Sequence, residues 1–120
     1  MNDILVLVGH GSSDGESEDV VRHHAARIQE LGIFSHVYAC SLHNMLAIKE
    51  ILQNIKCNRV FVVPMFIAHG RHTKETIPKA FGIKEGHSTI NSAEIIYCEP
   101  IGYNDKITDI ILEQVAEKKD

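Results

Sequence analysis

The chain of 120 residues has the length of one domain, and its hydrophobic content of 44% is enough to fill a core. Its net charge of −4 gives no general basic field for nucleic acid. No apolar run is long enough to span a membrane and no signal-type segment opens the chain, so we expect a cytoplasmic protein without membrane or nucleic-acid partners. The three cysteines form no CxxC pair and are expected to be buried, reduced thiols.

Apolar runs alternate with amphipathic segments, which predicts a single α/β domain over residues 1–120. We predict strands at 4–8, 34–41, 59–67 and 94–98, and helices at 44–54, 75–81 and 105–117. A further helix begins at a Ser13–Glu16 capping box and ends at Gly32. The polar segment 82–92 is expected to be irregular and mobile. The last helix is expected to bury Ile107, Ile110, Ile111 and Val115.

Right-handed crossovers fold this alternation into a doubly wound, flavodoxin-like sheet of four parallel strands, for which we predict the order 2-1-3-4. In this order the first and third strands are neighbours. The turn after the first strand carries His10 between two glycines, and the turn after the third carries His69 and His72. Ligands of such sheets bind beyond the carboxyl ends of the strands, so the two histidine turns are predicted to converge.

Eight histidines in a chain this short raise the expectation of metal or proton chemistry. Two or three imidazoles hold cobalt, nickel or zinc in an open site, which favours a metal in transit or in catalysis over a structural one. A histidine at a strand end is, however, often only a polar surface residue. The turn Gly9–Ser13 could instead hold a phosphate at a helix N-terminus, although it fits no nucleotide motif. The remaining histidines are interpreted as structural or surface residues: His23, His24, His36, His43 and His87.

Basic side chains surround the second turn of this acidic chain, namely Arg71, Lys74, Lys79 and Lys84. They either receive a ligand rich in carboxylates or form a solvated helix face. Glu75 and Glu99 are the carboxylates nearest the predicted cleft, and both are candidates for proton transfer or metal binding.

Together these motifs resemble the short archaeal sirohydrochlorin metal chelatases of the CbiX type. The similarity rests on Val8-Gly9-His10-Gly11-Ser12, on residues 62–66 and 70–78, and on the closing Cys98-Glu99-Pro100-Ile101-Gly102. It implies a chelatase-type fold, a homodimer, and ATP-independent insertion of Co²⁺, or also Ni²⁺, into sirohydrochlorin in cobalamin or nickel-tetrapyrrole biosynthesis. The divalent metal is then a substrate, and no permanently bound cofactor is implied.

The resemblance makes His10 and His72 the metal-binding and catalytic residues, whereas the motif does not require His69. Expected substrate-binding residues are Gly11, Ser12, His69, Gly70, Arg71, Thr73 and Lys74. Many relatives have an acidic residue near the end of the second strand, where this chain has Ala39-Cys40-Ser41-Leu42. No proton acceptor can be assigned to that place. The alternatives are a non-catalytic carrier of metal or tetrapyrrole and a phosphate-ligand binder.

Overall fold

A computed structural model describes residues 2–84 and 87–119. Its elements are, in chain order, β1 (Asp3–Gly9), α1 (Glu16–Glu30), β2 (His36–Ser41), α2 (Met45–Gln53), β3 (Arg59–Pro64), a π-helix (His72–Thr76), α3 (Ile77–Phe81), β4 (His87–Ile90), β5 (Ala93–Tyr97) and α4 (Asp105–Lys118). The strands form one sheet in the order β2-β1-β3-β5-β4.

The central strand β1 is buried along its whole length, as its continuous apolar run predicts. It pairs in parallel with β2 on one side and with β3 on the other, and β3 pairs in parallel with β5. The predicted α/β class and the predicted order of the four parallel strands are therefore confirmed. In this register Gly9 pairs with Ser41 and the preceding Val8 pairs with Pro64, so the segments that follow the three strands start at the same edge of the sheet.

A fifth strand, β4, corrects the predicted count of four. It pairs antiparallel with β5 at the edge of the sheet, within the segment that was predicted to be irregular. Asn91 and Ser92 connect the two strands with φ angles of 48° and 69°, as in a two-residue hairpin. The sequence of β4, His-Ser-Thr-Ile, has no apolar alternation, and the strand is paired on one side only. Glu85 and Gly86, also in the segment predicted to be mobile, lie outside the described residues.

Helices cover the two faces of the sheet unequally. On one face, α2 and α3 enclose the larger core cluster, which includes Ile4, Val62 and Phe81. On the other face, α1 packs against β1 and β2. The apolar residues of β3 and β5 on that second face remain only half-buried, among them Phe61, Val63 and Ile96. No helix among residues 2–84 and 87–119 therefore covers this part of the sheet.

The closing helix α4 differs from its prediction. None of its residues 105–118 is buried, and Ile110, Ile111 and Val115 are 48%, 57% and 49% exposed. Ile107, on the same side of α4, is half-buried. The prediction that a single chain buries this apolar side is therefore wrong. Periodicity indicates that a helix has an apolar face but not which surface covers it. None of the described helices is both long and apolar enough to cross a membrane.

Candidate metal-binding site

His10 and His72 meet at the carboxyl edge of the sheet. Their ring centroids lie 5.2 Å apart with an interplanar angle of 78°. The ring of Phe66 lies 6.3 Å from His10 and 6.4 Å from His72, so it forms an apolar wall beside both imidazoles. Phe66 is not among the predicted site residues, and its only signal in the sequence is its place at the end of an apolar run.

The hydrogen bonds of the two imidazoles leave one nitrogen of each ring open. Nδ1 of His10 lies 3.0 Å from the carbonyl oxygen of Gly11, which can only accept, so Nδ1 carries the hydrogen. Nδ1 of His72 lies 3.1 Å from Thr76 Oγ1 and can donate to it. In the part of the chain that the structure describes, neither Nε2 atom has a hydrogen-bond partner. Two imidazoles held through Nδ1 present two Nε2 lone pairs to a metal ion.

His72 begins the π-helix, whose first carbonyl accepts a hydrogen bond from the N–H of Ile77. Such wide turns are rare and often occur at functional sites. Tyr97 on β5 donates from its hydroxyl to the carbonyl oxygen of Thr73 at 2.7 Å and so holds the turn against the sheet. Burial, with a smaller effect of the charge of Glu99, raises the pKa of Tyr97 to about 12. The phenol therefore remains a donor at neutral pH.

Gly11 is required by the shape of the first turn. Its φ of +91° favours glycine, and a Cβ there would lie 3.1 Å from Cβ of Ser41 and 3.3 Å from Cδ2 of His43. His43 was interpreted as a surface residue, yet it lies beside the turn that carries His10. The end of β2 thus contributes to the wall of the site through Ser41 and His43.

The backbone donors of the first turn are already used. The N–H of Gly11 donates to Ser17 Oγ at 3.3 Å, and the N–H of Ser12 donates to Glu18 Oε1 at 2.7 Å. The first turn of α1 is also acidic, which disfavours an anion. These contacts weigh against the phosphate-binding alternative.

The predicted Ser13–Glu16 capping box does not form. The N-cap of α1 is Gly15, which has no side chain to cap the helix. Instead, Asp14 Oδ1 accepts a hydrogen bond from the N–H of Glu16 at 3.0 Å, and Ser12 Oγ donates to the same oxygen at 2.9 Å. The capping function has moved to the carboxylate of Asp14, and both bonds lower its pKa.

A pocket of about 630 Å³ is lined by Thr76, the hydrogen-bond partner of His72, although neither His10 nor His72 belongs to its lining. Its charged lining comprises three cations, Lys49, Arg71 and Lys79, and one carboxylate, Glu75. Arg71 Nε and Glu75 Oε2 are 3.6 Å apart. The remaining lining residues are Leu42, His43, Met45, Leu46 and Ala80. Lys49 lies on α2, far from the turns in sequence, and no sequence motif indicated it.

His69 belongs to a second group of polar residues. Its Nε2 lies 2.6 Å from Glu99 Oε2, and its Nδ1 lies 3.0 Å from Thr73 Oγ1. Thr73 is buried, whereas Gly70, Lys74 and Glu99 are exposed. The structure thus brings Glu99 to His69, while Glu75 lies with Arg71 at the pocket.

The three cysteines are free thiols, of which Cys40 is buried and Cys57 and Cys98 are half-buried. Burial raises the pKa of the Cys40 thiol to about 12, and it also raises the pKa values of Cys57 and Cys98. No group of three or more His, Cys, Asp or Glu residues that could hold a metal ion occurs among residues 2–84 and 87–119. The candidate site therefore offers two imidazoles, those of His10 and His72, each with an open Nε2 atom.

The fold and the paired imidazoles define a chelatase-type α/β protein. The CbiX family model matches residues 4–118, and the chain therefore belongs to the CbiX family. Among solved structures, the multi-domain protein DR2241 from Deinococcus radiodurans, described as structurally similar to chelatases, superposes with a TM-score of 0.81. That match has 22% identity and covers 99% of this chain and 29% of the other, so it supports the fold alone.

Curated relatives extend the comparison. The sirohydrochlorin cobaltochelatase of Methanopyrus kandleri is 31% identical, with 94% of each chain covered. That of Methanococcus maripaludis is 33% identical, with 92% of this chain and 95% of the relative covered. The probable sirohydrochlorin cobaltochelatase of Halobacterium salinarum is 29% identical, but the chain spans only 44% of its length.

Proposed function

We propose that this protein is a sirohydrochlorin cobaltochelatase that inserts Co²⁺ into sirohydrochlorin, accepts Ni²⁺ as a second metal substrate and needs no ATP. The main support for this proposal is the pair of imidazoles of His10 and His72, whose ring centroids lie 5.2 Å apart. Each ring is hydrogen-bonded through Nδ1 and open at Nε2. The names of relatives with 31% and 33% identity support the same function. The product would enter cobalamin or nickel-tetrapyrrole biosynthesis.

The open site suits a metal that must be delivered. A chelatase has to remove water from the ion, present it to the macrocycle and release it. Two neutral imidazoles from His10 and His72 hold cobalt or nickel without filling the coordination sphere. Protons compete for the same nitrogen atoms, so metal binding weakens as the pH falls.

The pocket beside the imidazoles suits the carboxylate-rich macrocycle. Lys49, Arg71 and Lys79 supply positive charge in a chain whose net charge is −4. The apolar lining from Leu42, Met45, Leu46 and Ala80 suits the flat ring. We assign further substrate contacts to the two turns, through Gly11, Ser12, His69, Gly70, Thr73 and Lys74. Glu75 and Glu99 are the proposed carboxylates for proton transfer, Glu75 at the pocket and Glu99 beside His69.

The working form is proposed to be a homodimer. The apolar side of α4 and the half-buried face of β3 and β5 support this proposal, because neither is fully covered by the part of the chain that the structure describes. The relative from Halobacterium salinarum, which this chain covers over only 44% of its length, has room for a second domain of this size.

An insertion assay tests the function directly. Purified protein is mixed with sirohydrochlorin and Co²⁺ or Ni²⁺ without nucleotide, and the absorption spectrum is followed. We expect many turnovers per protein with Co²⁺, and more than about a 100-fold loss of kcat/KM in His10→Ala and His72→Ala. His23→Ala changes an exposed histidine on α1 and should retain the wild-type rate.

Two outcomes of this assay would contradict the proposal. No acceleration over the uncatalysed rate with either metal would exclude chelatase activity. Stoichiometric binding of metal or tetrapyrrole without multiple turnovers would identify a carrier instead.

A further inference from the structure

His69 has a hydrogen-bond partner on each ring nitrogen, unlike His10 and His72. Glu99 Oε2 lies 2.6 Å from Nε2, and Thr73 Oγ1 lies 3.0 Å from Nδ1. The His69 side chain is 37% exposed and that of Glu99 is 84% exposed. The imidazole is therefore fixed in orientation and still accessible to solvent.

The surroundings of the Thr73 hydroxyl assign the proton on Nδ1 of His69. Thr73 Oγ1 accepts a hydrogen bond from the N–H of Gly70 at 2.9 Å and donates to the carbonyl oxygen of Gly70 at 3.1 Å. A hydroxyl has one hydrogen and two acceptor lone pairs. With its hydrogen given to Gly70, Thr73 can only accept from His69, so Nδ1–H is the donor. Neutral His69 then has its lone pair on Nε2.

The contact with Glu99 places a carboxylate next to Nε2 of His69. Glu99 Oε2 lies 2.6 Å from Nε2, a distance at which the carboxylate would accept a hydrogen bond from a proton bound there. An imidazolium formed by proton uptake would donate from both nitrogens, to Thr73 and to Glu99. When Nε2 loses its proton, the exposed carboxylate is free to move away.

We propose that His69 is the base that accepts a pyrrole proton during metal insertion, with Glu99 stabilising the resulting imidazolium and Thr73 fixing the ring. This role rests on the proposed chelatase function. Insertion of M²⁺ replaces two N–H protons of the macrocycle, and the electron pair of each broken N–H bond becomes a metal–nitrogen bond. One proton forms the Nε2–H bond of His69, directly or through one water, and the second goes to solvent. Because His69 and Glu99 are exposed, the stored proton then passes to water.

The other two histidines of the turns are already engaged, because His10 and His72 use their Nε2 atoms for the metal in the proposed reaction. The exposed Glu75, 3.6 Å from Arg71 Nε at the pocket, remains able to pass the second proton to solvent. The end of β2 offers no carboxylate, because Ser41 is there, 6% exposed and hydrogen-bonded to Asn44.

The charged and titratable groups around His69 are few in the described chain. Glu99 contacts it from the segment after β5, and Tyr97 on β5 reaches the neighbouring Thr73 carbonyl. On its own segment, Arg71 and Lys74 are exposed, and Arg71 is paired with Glu75. Glu99 is therefore the group positioned to stabilise a positive charge on His69.

The test compares His69→Gln and Glu99→Gln with wild type, and uses His24→Gln as the matched control on the exposed side of α1. We expect His69→Gln to lower kcat for Co²⁺ insertion by about 100-fold and Glu99→Gln by about 10-fold. The KM for sirohydrochlorin and the affinity for Co²⁺, read from its visible spectrum, should change less than about twofold. Added imidazole should restore part of the rate of His69→Gln. Far-UV circular dichroism verifies that the variants fold.

A second readout is independent of activity. Nitrogen-15 NMR of the imidazole rings at about pH 9, where histidine is neutral, should show His69 with its hydrogen on Nδ1. A neutral ring with its hydrogen on Nε2 would overturn the proton assignment.

The possible kinetic results separate this role from the function itself. If wild type and both variants insert Co²⁺ equally fast, the role of His69 is wrong while the chelatase function stands. A loss confined to KM would likewise overturn proton transfer. If wild type does not insert the metal at all, the function and the role fall together.

Discussion

The segment after β3 contains two histidines that each have a threonine four residues later. The pairs are His69 with Thr73 and His72 with Thr76. Each threonine hydroxyl contacts Nδ1 of its histidine. The two imidazoles differ in what lies at Nε2, because His69 meets Glu99 and His72 remains open towards His10. In the proposed reaction, the same local arrangement would therefore orient His69 as a base and His72 as a metal ligand.

Thr76→Val tests the orientation of His72. Valine keeps the shape of the side chain and removes the oxygen 3.1 Å from Nδ1, so the ring loses the partner that favours a free Nε2. We expect the affinity for Co²⁺, measured by titration of its visible spectrum, to fall by about 10-fold, which corresponds to about 1.4 kcal/mol. Thr108→Val, on the exposed α4, is the matched control. Equal Co²⁺ affinities in the two variants would contradict the assigned role of Thr76.

The segment that follows β3 packs directly against the segment that follows β5. The N–H of Ile101 donates to the carbonyl oxygen of Phe66 at 3.0 Å. Gly102 packs so closely on this segment that a Cβ there would lie 1.6 Å from the carbonyl oxygen of Ile67. This contact ties the segment that carries Glu99 to the one that leads to His69.

Gly102→Ala should disrupt this junction. The backbone oxygen of Ile67 cannot move aside alone, so the two segments must separate. We expect a loss of about 1–3 kcal/mol in the free energy of unfolding, measured with urea, together with slower Co²⁺ insertion.

Gly70→Ala is the stability control for this change, because nothing lies within 4 Å of its added Cβ. Its free energy of unfolding should stay the same or rise by up to about 1 kcal/mol. Equal stabilities of the two variants would show that the junction tolerates a side chain at Gly102.

The elements that sequence predicts best are those whose physical signal is local. The apolar runs of β1 and β3 identify central parallel strands, and the polar turns after them follow from the order of the sheet. β4 escaped prediction because its pairing with β5 is set by a hairpin at Asn91 and Ser92, not by an apolar pattern. Its four residues carry little hydrophobic information.

The candidate site was predictable only where histidine and glycine motifs mark it. His10 and His72 stand out by their turns, whereas His43 and Lys49 reach the pocket through the packing of α2 against α3. The contact between His69 and Glu99 joins residues on two different connections across the sheet edge. No spacing in the sequence encodes that contact.

The whole molecule has two apolar surfaces that a single chain leaves open. The radius of gyration is 15.2 Å, whereas a compact chain of this length has about 14 Å, and the longest dimension is 55 Å. One open surface is the side of α4 that carries Ile107, Ile110, Ile111 and Val115. The other is the half-buried face of β3 and β5 beside α1. A second copy of the chain that covers both surfaces would explain why the amphipathic helix α4 has no buried residue in the single chain.

Ile111→Glu tests whether α4 forms the dimer interface. Ile111 lies near the middle of the apolar side and is 57% exposed in the single chain, so a glutamate there is solvated in a monomer but desolvated and unpaired in a dimer. We expect wild type to have twice the chain mass by light scattering after gel filtration, and Ile111→Glu to dissociate with a Kd at least about 100-fold higher. Ala116→Glu introduces the same charge on the opposite side of α4 and should remain dimeric. If the proposed dimer completes the cleft, Ile111→Glu also loses insertion activity while its monomer stays folded. A monomeric wild type, or a dimer that Ile111→Glu leaves intact, would show that α4 is not the interface.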